Sequence, residues 1–212
     1  MSIKSSGLLA MAAFGLFLSY TCAAADKPPA FDCAKAQGEV QTLICSDAKL
    51  ADFDRQLDAV FKQAAAHSKG AVLKTLKAEQ RGWIKGRDDC WKARDGNATW
   101  LTESWQVADV RSCVAATYRL RIAELQVRWQ LAKAQKAVSY ACNGNAANEV
   151  IAQLFATELP AGRFERGDES LVGYLVQSPD GPRYEGRNLR FAAEDGHATV
   201  TWLGDTLDCK AR

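Results

Sequence analysis

The chain has 212 residues, 48% hydrophobic and 25% charged, the balance of a soluble globular protein rather than of a disordered or collagen-like one. Its 27 basic and 25 acidic side chains leave a formal net charge of +2, too small to mark a nucleic-acid binder on charge alone. Two histidines, His67 and His197, argue against a His-rich metal site and a His-based catalytic centre.

Residues 1–25 have the layout of a signal peptide. Lys4 supplies a positive start, residues 7–18 an apolar run, and Ala23-Ala24-Ala25 small residues for cleavage before Asp26. The run is shorter than the ~20 apolar residues of a membrane span. Cys22 is the residue that would be acylated in a lipoprotein, but Ser19-Tyr20-Thr21 before it lacks the usual Leu-small-small pattern. A periplasmic or secreted location is therefore expected ahead of a lipid anchor. Cleavage leaves six cysteines, an even set behind a secretory signal, which reads as disulfides formed in an oxidising compartment.

From residue 46 to about 135 the apolar spacing is helical. Leu50, Phe53, Leu57, Val60 and Phe61 form one stripe, with Ser46 the expected N-cap, Asp47 at the positive helix end and Gly70 the stop. Leu73, Leu76, Trp83, Ile84 and Trp91 form a second, ending near Gly96. Val107, Val110, Val114, Tyr118, Ile122, Leu125 and Trp129 form a third. Three amphipathic helices must bury these stripes against each other or a partner.

After Lys136 the period falls to two, at residues 138–142, 150–155, 171–176 and 197–202. Turn signals separate the runs at Asn143-Gly144-Asn145, Leu159-Pro160-Ala161-Gly162, Pro179-Asp180-Gly181, Asp195-Gly196 and Gly204-Asp205. Such spacing suggests a small antiparallel sandwich or barrel. Charge divides at the same place: residues 26–137 carry +5 and residues 138–212 carry −4. The acidic half favours a basic partner through long-range attraction. The expected organisation is an α+β multidomain chain: signal peptide 1–25, a three-helix disulfide-bonded module at 26–137, and a small antiparallel β unit at 138–212. Disulfides that follow it pair Cys33 with Cys45, Cys90 with Cys113, and Cys142 with Cys209.

No catalytic constellation stands out, and no cofactor or metal is expected. Asp88 and Asp89 are adjacent on a helix, point apart, and read as solvated surface. Glu194-Asp195 reads as a turn or ligand-contact feature, and Ser178 has no base at a catalytic spacing. The tryptophans offer a sugar-stacking platform, but the helical spacing of Trp83, Trp91 and Trp129 reads as core packing. Trp100 and Trp105 fall off the stripe and are the better candidates for a partner surface.

The helical half contains, in order, the blocks Phe31-Asp32-Cys33-Ala34-Lys35-Ala36, Ile44-Cys45-Ser46-Asp47, residues 50–57, residues 76–90 (LKAEQRGWIKGRDDC) and residues 118–125 (YRLRIAEL). On these blocks it resembles the LprI-like lysozyme-inhibitor family. The second half resembles the periplasmic or membrane-bound inhibitors of c-type lysozyme. Tyr140-Ala141-Cys142-Asn143 looks like their first strand, residues 178–186 like their Ser-Gly-x-x-Tyr loop, Asp195-Gly196-His197-Ala198 like their Lys-Gly loop, and Leu207-Asp208-Cys209 like their last strand. This likeness implies an eight-stranded barrel with one disulfide. It also implies a serine before the first loop glycine and a lysine before the second, both meeting the lysozyme cleft.

Here those positions are Asp180 and Asp195, with Glu194 alongside. A carboxylate pushed between the two closely spaced carboxyl groups of a retaining glycosidase is repelled unless protonated. Arg183 and Arg187 are the nearest cations to take over. The resemblance thus implies a non-enzymatic, secreted or periplasmic inhibitor of c-type lysozyme that occludes the active-site cleft, with no nucleic-acid partner. The expected contact residues are Ser178, Asp180, Gly181, Arg183, Tyr184, Glu194, Asp195 and Gly196. The acidic replacements favour an alternative, a non-inhibitory envelope module that binds another partner.

Overall fold

The computed structural model describes residues 27–95 and 107–212. The signal-peptide segment with Cys22, and Trp100 and Trp105, lie outside the described residues. The architecture is α+β. Four helices, α1 (Gly38–Ser46), α2 (Ala48–Ala66), α3 (Gly70–Asp88) and α4 (Val110–Arg128), precede eight strands, with short 3-10 turns at Cys33–Lys35 and Asp89–Asp95.

The described residues hold one helix more than the three stripes implied, because α1 is short and buries only Val40 and Ile44. Ser46 ends α1, and Asp47, in extended conformation between two helices, caps α2 instead. Its Oδ1 accepts from the amides of Lys49 and Leu50 at 2.9 and 3.0 Å, while Arg111 donates to Oδ2 at 2.5 Å. Gly70 opens α3 rather than closing α2, at a φ of +55° that a residue with Cβ adopts only under strain. A reciprocal pair, Asp109 and Ser112, caps α4.

The helical core gathers Ile44, Leu50, Phe53, Leu57, Leu76, Val114, Tyr118 and Leu125. The Cys33–Cys45 and Cys90–Cys113 disulfides tie its ends. A polar network crosses it. Arg87 Nη1 donates to Tyr118 Oη (2.8 Å), Tyr118 donates to Asp54 Oδ1 (2.8 Å), and the Ala30 amide donates to Asp54 Oδ2 (2.8 Å). Burial is the main influence on the Tyr118 hydroxyl and holds its pKa far above the ordinary phenol value. Asp88 is no solvated surface residue: its Oδ1 accepts from Arg87 Nε and Nη2 at 2.9 and 2.7 Å. Trp91 is no core residue either, being half exposed.

The strands are β1 (Val138–Cys142), β2 (Asn145–Phe155), β3 (Ala161–Arg166), β4 (Glu169–Ser178), β5 (Gly181–Gly186), β6 (Leu189–Glu194), β7 (His197–Trp202) and β8 (Asp205–Ala211). Each pairs antiparallel with its neighbour, and β8 closes on β1 to make a barrel. Val150, Phe164, Phe191, Val200, Trp202 and Leu207 fill the interior, and Cys142 is bonded to Cys209 directly across the closing pair. At Gly186 the strands come so close that a Cβ would lie 2.1 Å from the Val172 carbonyl oxygen, so only glycine fits.

Helix and barrel meet along α4. One face of α4 sits in the helical core. Ala123 and Val127 on another face pack with Phe155, Leu159 and Ala161 of the barrel half, supported by Leu120, Val172 and Tyr174. Burial holds the Tyr174 hydroxyl well above its ordinary pKa, with the Glu124 carboxylate adding to the shift.

Candidate functional site

Two β-turns meet at one end of the barrel. The β4–β5 turn carries Asp180 and leads into Gly181 and Pro182 of β5; Glu194 ends β6, and Asp195 opens the β6–β7 turn. Together with Ala192, Ala193, His197, Ala198, Thr199 and Asp208 they line a groove of about 570 Å³. The sequential strand order puts both turns at the same end of the barrel, and register brings β8 in: Ala192 lies opposite Thr199, and Thr199 opposite Asp208, so β6, β7 and β8 present one rung to the same outer face. Asp208 and the alanines were not among the sequence candidates. The period of two in the last strand, running outward from Cys209, is the signal that places Asp208 there.

The groove is acidic. Asp180, Glu194, Asp195 and Asp208 line it, and among the described residues no lysine or arginine does. Asp180 is almost fully exposed. Asp195 has φ +48° and Gly196 φ +80°, the paired left-handed residues of a tight hairpin turn. Aspartate tolerates that conformation better than a long or branched side chain, which gives a structural reason for an acid at this position.

The other candidates have different placements. Ser178 is built into the β4–β5 turn: its hydroxyl donates to the Gly181 carbonyl (2.9 Å) and accepts from Arg183 Nη1 (2.6 Å). Arg183 is not a free cation. Its Nε donates to the buried Glu185 carboxylate at 2.6 Å, and Asp180 lies 3.9 Å from Nη1. Arg190 approaches the same Glu185 at 3.4 Å. Tyr184 packs inward on Phe164, ring centroids 5.7 Å apart, and burial raises its hydroxyl pKa. Arg187 does not line this groove at all. It borders a separate cavity beside α4, with Glu124 and Arg128. Of the expected contact residues, the structure thus brings Asp180, Gly181, Glu194 and Asp195 together in the groove, with Gly196 shaping the second turn.

The arrangement has no nucleophile–base pair and no cluster of His, Cys, Asp and Glu among the described residues that would hold a metal. What it offers is a negatively charged concavity framed by two tight turns.

Residues 33–125 match the family model for Lysozyme inhibitor LprI. The Lipoprotein LprI of Mycobacterium bovis is 27% identical over 181 residues, 84% of this chain and 82% of the relative. The Lipoprotein LprI of two Mycobacterium tuberculosis strains matches with the same figures. Among solved structures, Pseudomonas aeruginosa MliC in complex with hen egg white lysozyme matches at 24% identity, with a TM-score of 0.32, over 38% of this chain and 86% of that one.

Proposed function

We propose that this protein is a non-enzymatic inhibitor of lysozyme acting in the bacterial cell envelope. The observation that carries the reading is the match of residues 33–125 to the lysozyme-inhibitor LprI model. Its finer parts are that the target is a c-type lysozyme and that the barrel groove meets the rim of the active-site cleft.

The chemistry of the groove sets how such contact works. Four carboxylates cannot enter between the enzyme's own carboxyl pair without repulsion. They can receive a lysine or arginine side chain from the surface of a basic enzyme, and this seats the two turns across the cleft mouth. Long-range attraction between the acidic barrel and a basic partner speeds the encounter.

The test is turbidity of a cell-wall suspension treated with c-type lysozyme. Slower clearing with added protein supports the reading. Unchanged clearing rejects it and leaves the second reading, an envelope module for another partner, which Asp180 and Asp195 favour. Clearing by the protein alone rejects both. Replacing Asp180 and Asp208 together by asparagine should weaken inhibition if the groove is the contact.

The relatives bear the name lipoprotein, which supports an anchor at Cys22 as the alternative to cleavage after Ala25. Mass spectrometry of the mature N-terminus separates an acylated Cys22 from a free Asp26.

A further inference from the structure

The helical half carries its own groove, which shares no residue with the barrel turns. Helices α2 and α3 follow one another in the chain yet barely touch; both pack on α4 instead. Between them, and bordered by the segment before α1, lies a groove of about 480 Å³. That is within the ~300–1,000 Å³ range of small-molecule sites. Three half-buried rings line it, Phe31, Phe61 and Trp83.

Its polar lining is fixed in advance. Asp54 is held by Ala30 and Tyr118, Gln41 by Asp88 at 2.9 Å, and Gln80 by Arg121 at 3.1 Å. Each of its aspartates has an ion-pair partner. Asp32 faces Lys35 at 3.4 Å, Asp54 faces Arg87 at 3.7 Å, and Asp58 faces Lys62, which does not itself line the groove, at 2.7 Å. Arg87 also sits beside Phe31, Trp83 and Tyr118, 5.6 to 6.0 Å from the ring centroids, so these rings already serve a cation.

An ionic ligand finds no unmatched charge here. A hydrocarbon would strip water from carboxylates and amides without replacing the hydrogen bonds. The ligand that satisfies both parts of the lining is neutral, with a C–H face for the rings and hydroxyls for the planar polar groups. We propose that the α2–α3 groove binds a neutral oligosaccharide. The site stands apart from the lysozyme reading, and its test contains no lysozyme. If both hold, the inhibitor rests on glycan near the bonds it protects.

The test is titration of the mature, disulfide-bonded chain with chitotetraose and, separately, cellotetraose, followed by backbone NMR shifts and calorimetry. The expected result is saturable binding of at least one probe, with the shifts centred on Phe31, Phe61 and Trp83. Trp83→Ala and Phe61→Ala should each weaken it about tenfold, equivalent to about 1.4 kcal/mol. Shifts centred on the barrel turns, no saturable shift at millimolar probe, or equal affinity in both variants would overturn the proposal. The wild-type shift map decides the question even if neither variant folds.

Discussion

Asp54→Ala removes the acceptor at the centre of the buried network. Tyr118 loses a 2.8 Å hydrogen bond to a carboxylate, and the Ala30 amide loses another of the same length. Arg87, 5% exposed, loses one of its two carboxylate neighbours and keeps Asp88 at 2.7 Å. Hydrogen bonds to charged groups contribute ~1.5–3 kcal/mol each, and breaking a buried ion pair costs ~3–5 kcal/mol. The surviving Asp88 contact and the partial exposure of the Ala30 bond bring the expected loss to about 3 kcal/mol. With an m-value of about 2 kcal/mol/M, the urea midpoint should fall by about 1.5 M. The assay is urea unfolding with disulfides intact, followed by far-UV circular dichroism. Tyr118→Phe should cost less, because Arg87 and Asp54 can close their 3.7 Å gap into a direct pair. The double variant should cost less than the sum of the two. A loss below about 1 kcal/mol for Asp54→Ala, or strict additivity, would refute the network as described.

Gly186→Ala should destabilise the barrel by at least about 3 kcal/mol, since its Cβ would overlap the Val172 carbonyl and force two strands apart; the fluorescence melt of the buried Trp202 reports it. Asp109→Ala should cost about 1 kcal/mol at neutral pH through loss of the α4 cap. Hydrogen bonding from the Ser112 amide lowers the Asp109 pKa, so its contribution is present above the ordinary carboxylate range and fades as pH falls through the depressed value. Wild type and variant should therefore converge in acid unfolding curves. If the groove is the lysozyme contact, association should slow as salt rises, because charges farther apart than ~8 Å are screened at physiological ionic strength. Rates independent of salt would remove the electrostatic part of that reading. Asp180→Ser with Asp195→Lys should weaken inhibition, because it removes two of the four groove carboxylates and sets a like charge against the enzyme's cation. The lysine must then adopt the left-handed conformation of residue 195, so its melting temperature should also drop.

Much of the helical half was visible as stripes, because long helices bury one face and repeat it. What was hidden was local: α1 is too short to show a stripe, and Asp47 took the cap from its neighbour Ser46 by reaching two amides and Arg111. In the barrel, the runs at 138–142 and 197–202 alternate cleanly, whereas β3, β5, β6 and β8 (AGRFER, GPRYEG, LRFAAE, DTLDCKA) carry glycine, proline and charge. Those residues are poor strand formers alone, and the neighbouring ladders hold them in place. At the candidate site, the two turns could be read from Asp180-Gly181 and Asp195-Gly196. The roles of Arg183 and Arg187 could not, because they depend on where Glu185 and α4 lie in space.

The closed barrel has a consequence for recognition. An open sheet can capture a partner by adding a strand, trading backbone hydrogen bonds that any sequence supplies. With β8 joined to β1, no strand edge is left for that trade. Whatever the barrel recognises must be recognised by side chains on its turns and outer face, so selectivity there is written in a handful of residues. A substitution at a turn changes what the barrel presents without removing any rung of the ladder that closes it.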